Sequence, residues 1–147
     1  MTSPPSVEIR PIVPADAEAA ARLSGEFGYP TDATTMRQRI EELSASADHG
    51  AFVACKAGQV IGWIHVSAVQ HLQSDPRAEI GGVVVADHAR SGGIGAQLIA
   101  RAEQWARDAG FASIVVRSQI MRDAAHRFYL REGYSHTKTS AVFTKRL

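Results

Sequence analysis

The chain has 147 residues, a formal net charge of +1 at pH 7, 45% hydrophobic residues and 21% charged residues. This length predicts one domain over residues 1–147, with a sizeable core. The lysines and arginines form no basic cluster, no apolar run is long enough to cross a membrane, and residues 1–6 lack the apolar stretch of a signal peptide. These features predict a soluble, cytoplasmic protein without a nucleic-acid or membrane partner.

The first half of the chain predicts three strands and two helices. A strand over residues 7–12 precedes a helix that begins at Pro14 and ends near Phe27. Thr31 or Asp32 caps the second helix. The apolar stripe of that helix consists of Met36, Ile40, Leu43 and Ala47. A hairpin follows, with strands over residues 51–56 and 60–69.

Residues 79–98 predict a strand, a glycine-rich turn and a helix in direct succession. Three consecutive valines at residues 83–85 suit a buried strand. Apolar residues recur at helical spacing from Ile94 until Gly110 ends the helix. The turn itself contains Gly92, Gly93 and Gly95. A helix N-terminus directly after a strand offers free backbone N–H groups, which suit an anion such as a pyrophosphate.

Three phosphate-binding patterns compete for this turn. A Walker P-loop is excluded because it needs a lysine, and no lysine lies between Lys56 and Lys138. A dinucleotide fingerprint is disfavoured, since Leu98 holds the position of its third glycine and residues 114–116 offer no carboxylate. The third pattern, Arg-x-x-Gly-x-Gly, is formed by Arg90, Gly93 and Gly95.

The third pattern, with a strand before it and a helix after it, resembles the acyl-CoA-binding motif of the GCN5-related N-acetyltransferase (GNAT) superfamily, Gln/Arg-x-x-Gly-x-Gly/Ala. A strand at residues 112–117, a helix at 123–131 and a strand at 140–145 complete the element order β-αα-βββ-α-β-α-β. The resemblance implies an α/β (α+β) fold with a central, twisted, mostly antiparallel sheet flanked by helices. The implied activity is the acetyl-CoA-dependent N-acetylation of a primary amine, by direct attack in a ternary complex.

The resemblance also implies which residues hold acetyl-CoA. Main-chain atoms of Val83, Val84 and Val85 contact the pantetheine arm, and an N–H of this strand polarises the thioester carbonyl, worth about 3 kcal/mol per donor in other acyl-transfer enzymes. Gln119 stands where many relatives have a pantetheine-binding asparagine, and keeps the amide with one more methylene. The pyrophosphate would contact the N–H groups of the turn, where the Arg90 guanidinium adds charge. The turn residues are Arg90, Ser91, Gly92, Gly93, Ile94, Gly95 and Ala96.

The last predicted helix carries a second motif. Its residues are similar to the family segment Ala-x-x-Phe-Tyr-x-x-x-Gly-Phe/Tyr, which here begins at Ala125 and ends at Tyr134. The resemblance makes Tyr129 the general acid at the CoA sulfur and places Phe128 beside the cofactor. A phenol with a pKa near 10 can protonate or hydrogen-bond a thiolate whose thiol has a pKa of about 8.5. Residue type alone also fits two core aromatics, and Phe128 is interpreted in that way.

Glu79, at the predicted start of the strand before the turn, is the candidate base. An amine with a pKa of about 10.4 is mostly protonated at neutral pH, so a group must accept a proton before the nitrogen attacks. Family members with a glutamate base carry it at the corresponding place. Strand alternation predicts that Glu79 shares a face with Gly81, Val83 and Val85. A solvated carboxylate, with a water chain as the base, is the alternative. Further candidate bases or acceptor contacts are His65, Ser67, His71 and Asp75.

Other patterns limit the alternatives. Cys55 follows Val53 and Ala54 in a predicted strand and is interpreted as a small buried side chain. The six histidines lack metal-ligand spacing. A non-catalytic acyl-CoA-binding module is the rival function, against which the presence of both Glu79 and Tyr129 argues. A nicotinamide-dependent enzyme is disfavoured by Leu98.

The sequence does not specify the acceptor amine. Three loops are the expected walls of its pocket, at residues 27–32, 71–77 and 134–140. Dimers are common in the family, so the resemblance leaves a homodimer open.

Overall fold

The computed structural model describes residues 6–90, 92–118 and 122–147. The chain divides into two compact units, Met1–Val116 and Arg117–Leu147. Ser91 and Gln119, two of the predicted cofactor-binding residues, lie outside the described residues. No helix in the described ranges is both long enough and apolar enough to span a membrane.

The first unit is a five-stranded sheet with helices on both faces. The strands lie in the order β1-β2-β3-β4-β5, and all neighbours are antiparallel except the parallel pair β4 and β5. This confirms the predicted mostly antiparallel sheet. The elements are β1 (Val7–Pro11), a 3-10 turn (Pro14–Asp16), α1 (Ala17–Glu26), α2 (Ala33–Ser44), β2 (His49–Lys56), β3 (Gln59–His71), β4 (Ser74–Val85), a second 3-10 turn (Asp87–Ala89), α3 (Ile94–Asp108) and β5 (Ile114–Val116).

Two aspartates fix the starts of the first two helices. The buried Asp16 carboxylate accepts from both guanidinium nitrogens of Arg10, at 2.8 and 2.9 Å, and from the Val13 N–H. Asp32 is the N-cap of α2 and accepts from the Thr35 N–H at 2.7 Å. The stripe predicted for α2 is too long by one residue, since the helix ends at Ser44 and Ala47 is exposed beyond it.

Helix α3 packs directly on one face of the sheet. A Cβ on Gly50 would lie 2.7 Å from the Trp105 ring, and a Cβ on Gly62 would lie 3.1 Å from Leu98. These two glycines let the helix approach the strands, and Leu98 is completely buried there. Helices α1 and α2 cover the opposite face, where Ala20, Leu23 and Ile40 are buried.

The strands of the hairpin before the glycine-rich turn differ from the prediction. Strand β4 begins at Ser74, so Glu79 lies in its middle and not at its start. The predicted 71–77 loop is for the most part paired strand, because His71 and Ser74 close a tight hairpin. Strand β5 is shorter than predicted and comprises Ile114–Val116.

The second unit contains α4, which spans Asp123–Arg131 as predicted. The strand predicted at residues 140–145 is wrong, because residues 134–147 are described and none of them belongs to a strand. Val142 and Phe143 are 86% and 94% exposed. Alternating apolar residues become a strand only when another strand pairs with their backbone groups.

Candidate functional site

Strand β4 separates from β5 just before the glycine-rich turn. The two strands pair at Ala78, Glu79 and Ile80, and the pairing ends where Ile80 meets Val116. Strand β4 continues to Val85 and remains paired with β3 on its other edge. Among the described residues of the first unit, the β5-facing edge of β4 beyond Ile80 therefore has no strand partner.

The pairing of β4 with β3 shows which backbone groups of β4 point away from β3. These groups point into the space beside the free edge of β4, called the gap. In an antiparallel pair, alternate residues direct both main-chain groups toward the partner strand. The Ala86 N–H donates to the Ile61 carbonyl at 2.8 Å, which places Ala86 and, two residues earlier, Val84 in the set that faces β3. The main-chain groups of Val83 and Val85 consequently face the gap.

The end of β4 leads through a short turn into the N-terminus of α3. Gly93, the N-cap, adopts φ +77°, a conformation that L-residues with a Cβ rarely adopt. The first helical bond runs from the Gln97 N–H to the Gly93 carbonyl. The N–H groups of the three residues between them have no carbonyl partner within the helix. These residues are Ile94, Gly95 and Ala96.

The Arg90 side chain contacts both the turn and the end of β4. Its guanidinium lies 2.7 Å from the Asp87 carboxylate and also donates to the Val85 carbonyl, the last residue of β4. Half of the Arg90 side chain is exposed. The positive charge that Arg90 is predicted to add beside the pyrophosphate is shared with Asp87 in this structure.

A cavity of about 340 Å³ lies beside this turn. Its lining combines the turn and the start of α3 with the ends of β1 and β2, and includes Lys56. Lysine and arginine are the side chains that pair with phosphate oxygens. The lining residues are Val7, Lys56, Ile61, His88, Ala89, Arg90, Gly92 and Ile94.

Replacement of Gly93 by alanine tests the turn. We expect Gly93→Ala to lower the free energy of unfolding by about 1–2 kcal/mol, because a Cβ disfavours the left-handed conformation. We also expect weaker acetyl-CoA binding, measured by calorimetry. Gly110→Ala is the matched control: Gly110 has φ +87° just beyond the other end of α3, so that variant should lose similar stability and keep its acetyl-CoA affinity. Equal acetyl-CoA affinity in the two variants would contradict an anion site at Gly93.

A β-bulge changes the face on which Glu79 lies. Val66 pairs with Ile80 and His65 pairs with Gly82, so Gly81 is an extra residue of β4. The predicted alternation is therefore wrong, and Glu79 shares its face with Gly82 and Val84, not with Val83 and Val85. A Cβ on Gly81 would lie 2.9 Å from His65 Nδ1, so glycine leaves room for this imidazole.

A row of polar residues crosses the sheet on the face covered by α1 and α2. His49 of β2, Ser67 of β3 and Glu79 of β4 are direct partners in the ladder. His65, on the same face, joins the row through a 2.9 Å contact between His49 Nδ1 and its own Nε2. Burial, with the His49 charge as a smaller cause, lowers the pKa of His65, which favours the neutral imidazole.

The His65 pKa predicts a pH dependence of stability. Since the folded pKa is below the ordinary value of 6.5, the unfolded chain takes up the proton first as the pH falls through 6.5. Stability should therefore decrease from pH 7 to 5, by well under the one-proton limit of about 1.4 kcal/mol per pH unit. Urea unfolding at several pH values should show a smaller decrease in His65→Gln, and an unchanged decrease in His71→Gln, which alters an exposed histidine on the same strand. An equal decrease in wild type and His65→Gln would contradict this assignment.

Tyr129 and Phe128 belong to the second unit, on α4. The Tyr129 ring meets the Phe128 ring edge-on at 5.3 Å and the Tyr134 ring at 6.1 Å. Burial raises the pKa of Tyr129, and the positive charge of Arg122 opposes this shift. The phenol thus keeps its proton at neutral pH, which a general acid requires.

Two further sequence predictions concern the cysteine and metal binding. Cys55 is buried, as predicted. Within the described ranges, histidine, cysteine and carboxylate side chains form no group that could hold a metal ion. Two residues of interest were absent from the prediction, Lys56 and His49. Their positions follow from the pairing of β2 with β1 and β3, which local sequence patterns do not specify.

The chain is similar to several known proteins. An aminoglycoside N(6')-acetyltransferase type 1 of Stenotrophomonas maltophilia is 29% identical over 140 residues, which cover 92% of this chain and 90% of that protein. An aminoalkylphosphonate N-acetyltransferase of Salmonella typhimurium is 41% identical over 96 residues, which cover 65% of this chain and 61% of that protein.

A solved structure of an aminoglycoside N-acetyltransferase in complex with CoA has a TM-score of 0.88 at 19% identity and covers 100% of this chain and 99% of that one. This similarity confirms the predicted fold. The model of the acetyltransferase (GNAT) family matches residues 17–134. Because this match spans most of the sequence, the chain belongs to the acetyltransferase (GNAT) family.

Proposed function

We propose that this protein transfers the acetyl group of acetyl-CoA to a primary amine by direct attack in a ternary complex. The observation that carries the proposal is that the edge of β4, which has no strand partner among the described residues of the first unit, leads directly to the N–H groups at the N-terminus of α3. An extended amide-containing arm that ends in a pyrophosphate matches such a surface, because a strand edge bonds amides and a helix N-terminus binds phosphates.

Two sets of backbone groups bind acetyl-CoA in this proposal, one in the turn and one at the edge of β4. The N–H groups of residues 92–96 bind the pyrophosphate, and Lys56 with Arg90 adds positive charge beside it. The main-chain groups of Val83 and Val85 bond the pantetheine amides. An N–H of the same strand edge then lies along the arm, where it stabilises the negative charge that develops on the thioester oxygen.

Proton transfers complete the proposed reaction. Glu79, or a water that it holds, accepts a proton from the acceptor ammonium, and the freed nitrogen attacks the carbonyl carbon. The new C–N bond forms as the C–S bond breaks, and the Tyr129 phenol donates its proton to the departing thiolate. Three observations support these roles: the position of Glu79 in the polar row with Ser67 and His49, the motif around Tyr129, and the raised pKa of Tyr129.

The relatives indicate the kind of acceptor. One is named for aminoglycosides and the other for aminoalkylphosphonates, and both names denote compounds with primary amino groups. We therefore propose a small-molecule amine as the acceptor.

Thermal unfolding with and without ligands tests the binding step. At 100 times its Kd, acetyl-CoA should stabilise the protein by about 2.7 kcal/mol, and CoA should do the same at its own saturating concentration. NAD is the control, because Leu98 replaces the third glycine of a dinucleotide fingerprint. Stabilisation by NAD alone, or by none of the three, would contradict the proposal. Stabilisation by acetyl-CoA without acetyl transfer to any amine would favour the rival function, a non-catalytic acyl-CoA-binding module.

A further inference from the structure

A second cavity lies between the sheet and helices α1 and α2, on the face that carries Glu79. It has a volume of about 230 Å³. Trp63 and His65 of β3 form part of its wall, so it adjoins the polar row of the candidate site. The lining residues are Ile12, Ala20, Ser24, Tyr29, Thr31, Met36, Arg39, Ile40, Leu43, Ala51, Trp63, Ile64 and His65.

The size of this cavity suits one small molecule. Its volume equals that of about eight water molecules at liquid density, and an apolar cavity of about 150 Å³ already accommodates benzene. Its inner wall is apolar, with Ile40 and Ile64 almost completely buried. An amine with a ring-sized or similar apolar body therefore fits the cavity.

The charge of the cavity lining is positive. Arg39 is its one permanently charged residue, and no carboxylate is found among the described residues that line it. Ser24 is already engaged, because its hydroxyl donates to the Tyr29 carbonyl at 2.6 Å. Arg39 and His65 thus remain as the basic side chains of the wall.

Asp32 at the start of α2 and Glu41 within it have other partners. Glu41 pairs with Arg37 at 3.5 Å on α2. Asp32 accepts from the Thr35 N–H, and this bond, with a smaller contribution from the Arg39 charge, lowers the pKa of Asp32. Arg39 takes no part in the ion pairs formed among the described residues. Its guanidinium is available to an anionic group of a ligand.

We infer that the acceptor is a small amine with an apolar body and one anionic group, a carboxylate or a phosphonate, that pairs with Arg39. This inference rests on the proposed function and excludes a polycation as the preferred acceptor. The amino group would point toward His65 and the row that contains Glu79, and the anion toward α2. A polycation would meet Arg39 with like charge and find no carboxylate in the lining.

Three acceptors with the same apolar body and one polycation test the inference. Initial rates of thiol release, at saturating acetyl-CoA, are compared for phenylalanine, its phosphonate analogue, phenethylamine and kanamycin. The first two share a body with phenethylamine and add a carboxylate or a phosphonate, so they also distinguish the two anions. We expect kcat/KM to be about ten- to a hundredfold higher for at least one of them than for phenethylamine, the range of a charge-assisted hydrogen bond. Kanamycin should be the poorest acceptor.

The variant Arg39→Gln tests the role of the guanidinium. It should remove the advantage of the anionic acceptor and change kcat/KM for phenethylamine far less. Arg37→Gln is the matched control, since Arg37 is exposed on the same helix and lines no part of the cavity. Preference for kanamycin, or an equal effect of Arg39→Gln on all acceptors, would overturn the inference and leave the proposed function in place. Absence of thiol release with every amine, despite stabilisation by acetyl-CoA, would instead overturn the proposed function.

Discussion

Replacement of Tyr129 by phenylalanine should lower kcat by about a hundredfold or more, within the range of 10²–10⁴ that a positioned general acid contributes. The variant keeps the ring and its edge-on contacts with Phe128 and Tyr134, so α4 should fold normally. The affinity for acetyl-CoA, measured by calorimetry, should be nearly unchanged. Because burial keeps the phenol protonated at neutral pH, the loss should appear across the neutral range.

Tyr134→Phe is the matched control for this prediction. It removes a hydroxyl from the neighbouring ring of the same unit, at a position where the family motif accepts either aromatic residue. Its kcat should stay close to that of the wild type. Equal turnover in Tyr129→Phe and the wild type would remove Tyr129 from the mechanism. Equal losses in the two tyrosine variants would indicate a general effect on packing.

Replacement of Glu79 by glutamine should lower kcat/KM by about a hundredfold at neutral pH, if the carboxylate accepts the ammonium proton. The loss should shrink as the pH approaches the acceptor pKa of about 10.4, because the amine then needs no base. Glutamine keeps the size and one acceptor oxygen of the side chain, so β4 should remain paired with β3 and β5.

The pH profile separates a base from a structural role. A loss of equal size at every pH would indicate that Glu79 positions the substrate and accepts no proton. Unchanged kcat/KM at neutral pH would favour a water chain, with His65 and Ser67 as the nearest groups on the same face. Glu8→Gln, an exposed glutamate on β1, is the control and should leave the profile as it is.

The glycine-rich turn could be predicted because the residues that determine its conformation are neighbours in the sequence. A β-branched run, a glycine with φ +77° and a helix with one apolar stripe all lie within a few residues of one another. Helix α4 was equally predictable from its pattern. The strand expected at residues 140–145 could not be predicted reliably. Alternating apolar residues favour a strand, but the strand forms only where another strand pairs with it.

The face of Glu79 depends on one extra residue. Alternation along β4 assigned Glu79 to the side of Val83, and the bulge at Gly81 reverses that assignment. Nothing in the local sequence except the Gly81-Gly82 pair signals the bulge. The same limit applies to His49, which lies 16 residues before its partner His65 and meets it through the ladder of β2 and β3.

Acetyl transfer itself is the most direct test of the account. Thiol release from acetyl-CoA is followed with purified protein and a panel of primary amines, and the acetylated product is identified by mass spectrometry. The account predicts release that requires both the protein and an amine, with an N-acetyl product and free CoA in equal amounts. Release that is independent of the amine, or a protein that binds acetyl-CoA and acetylates no member of the panel, would contradict it.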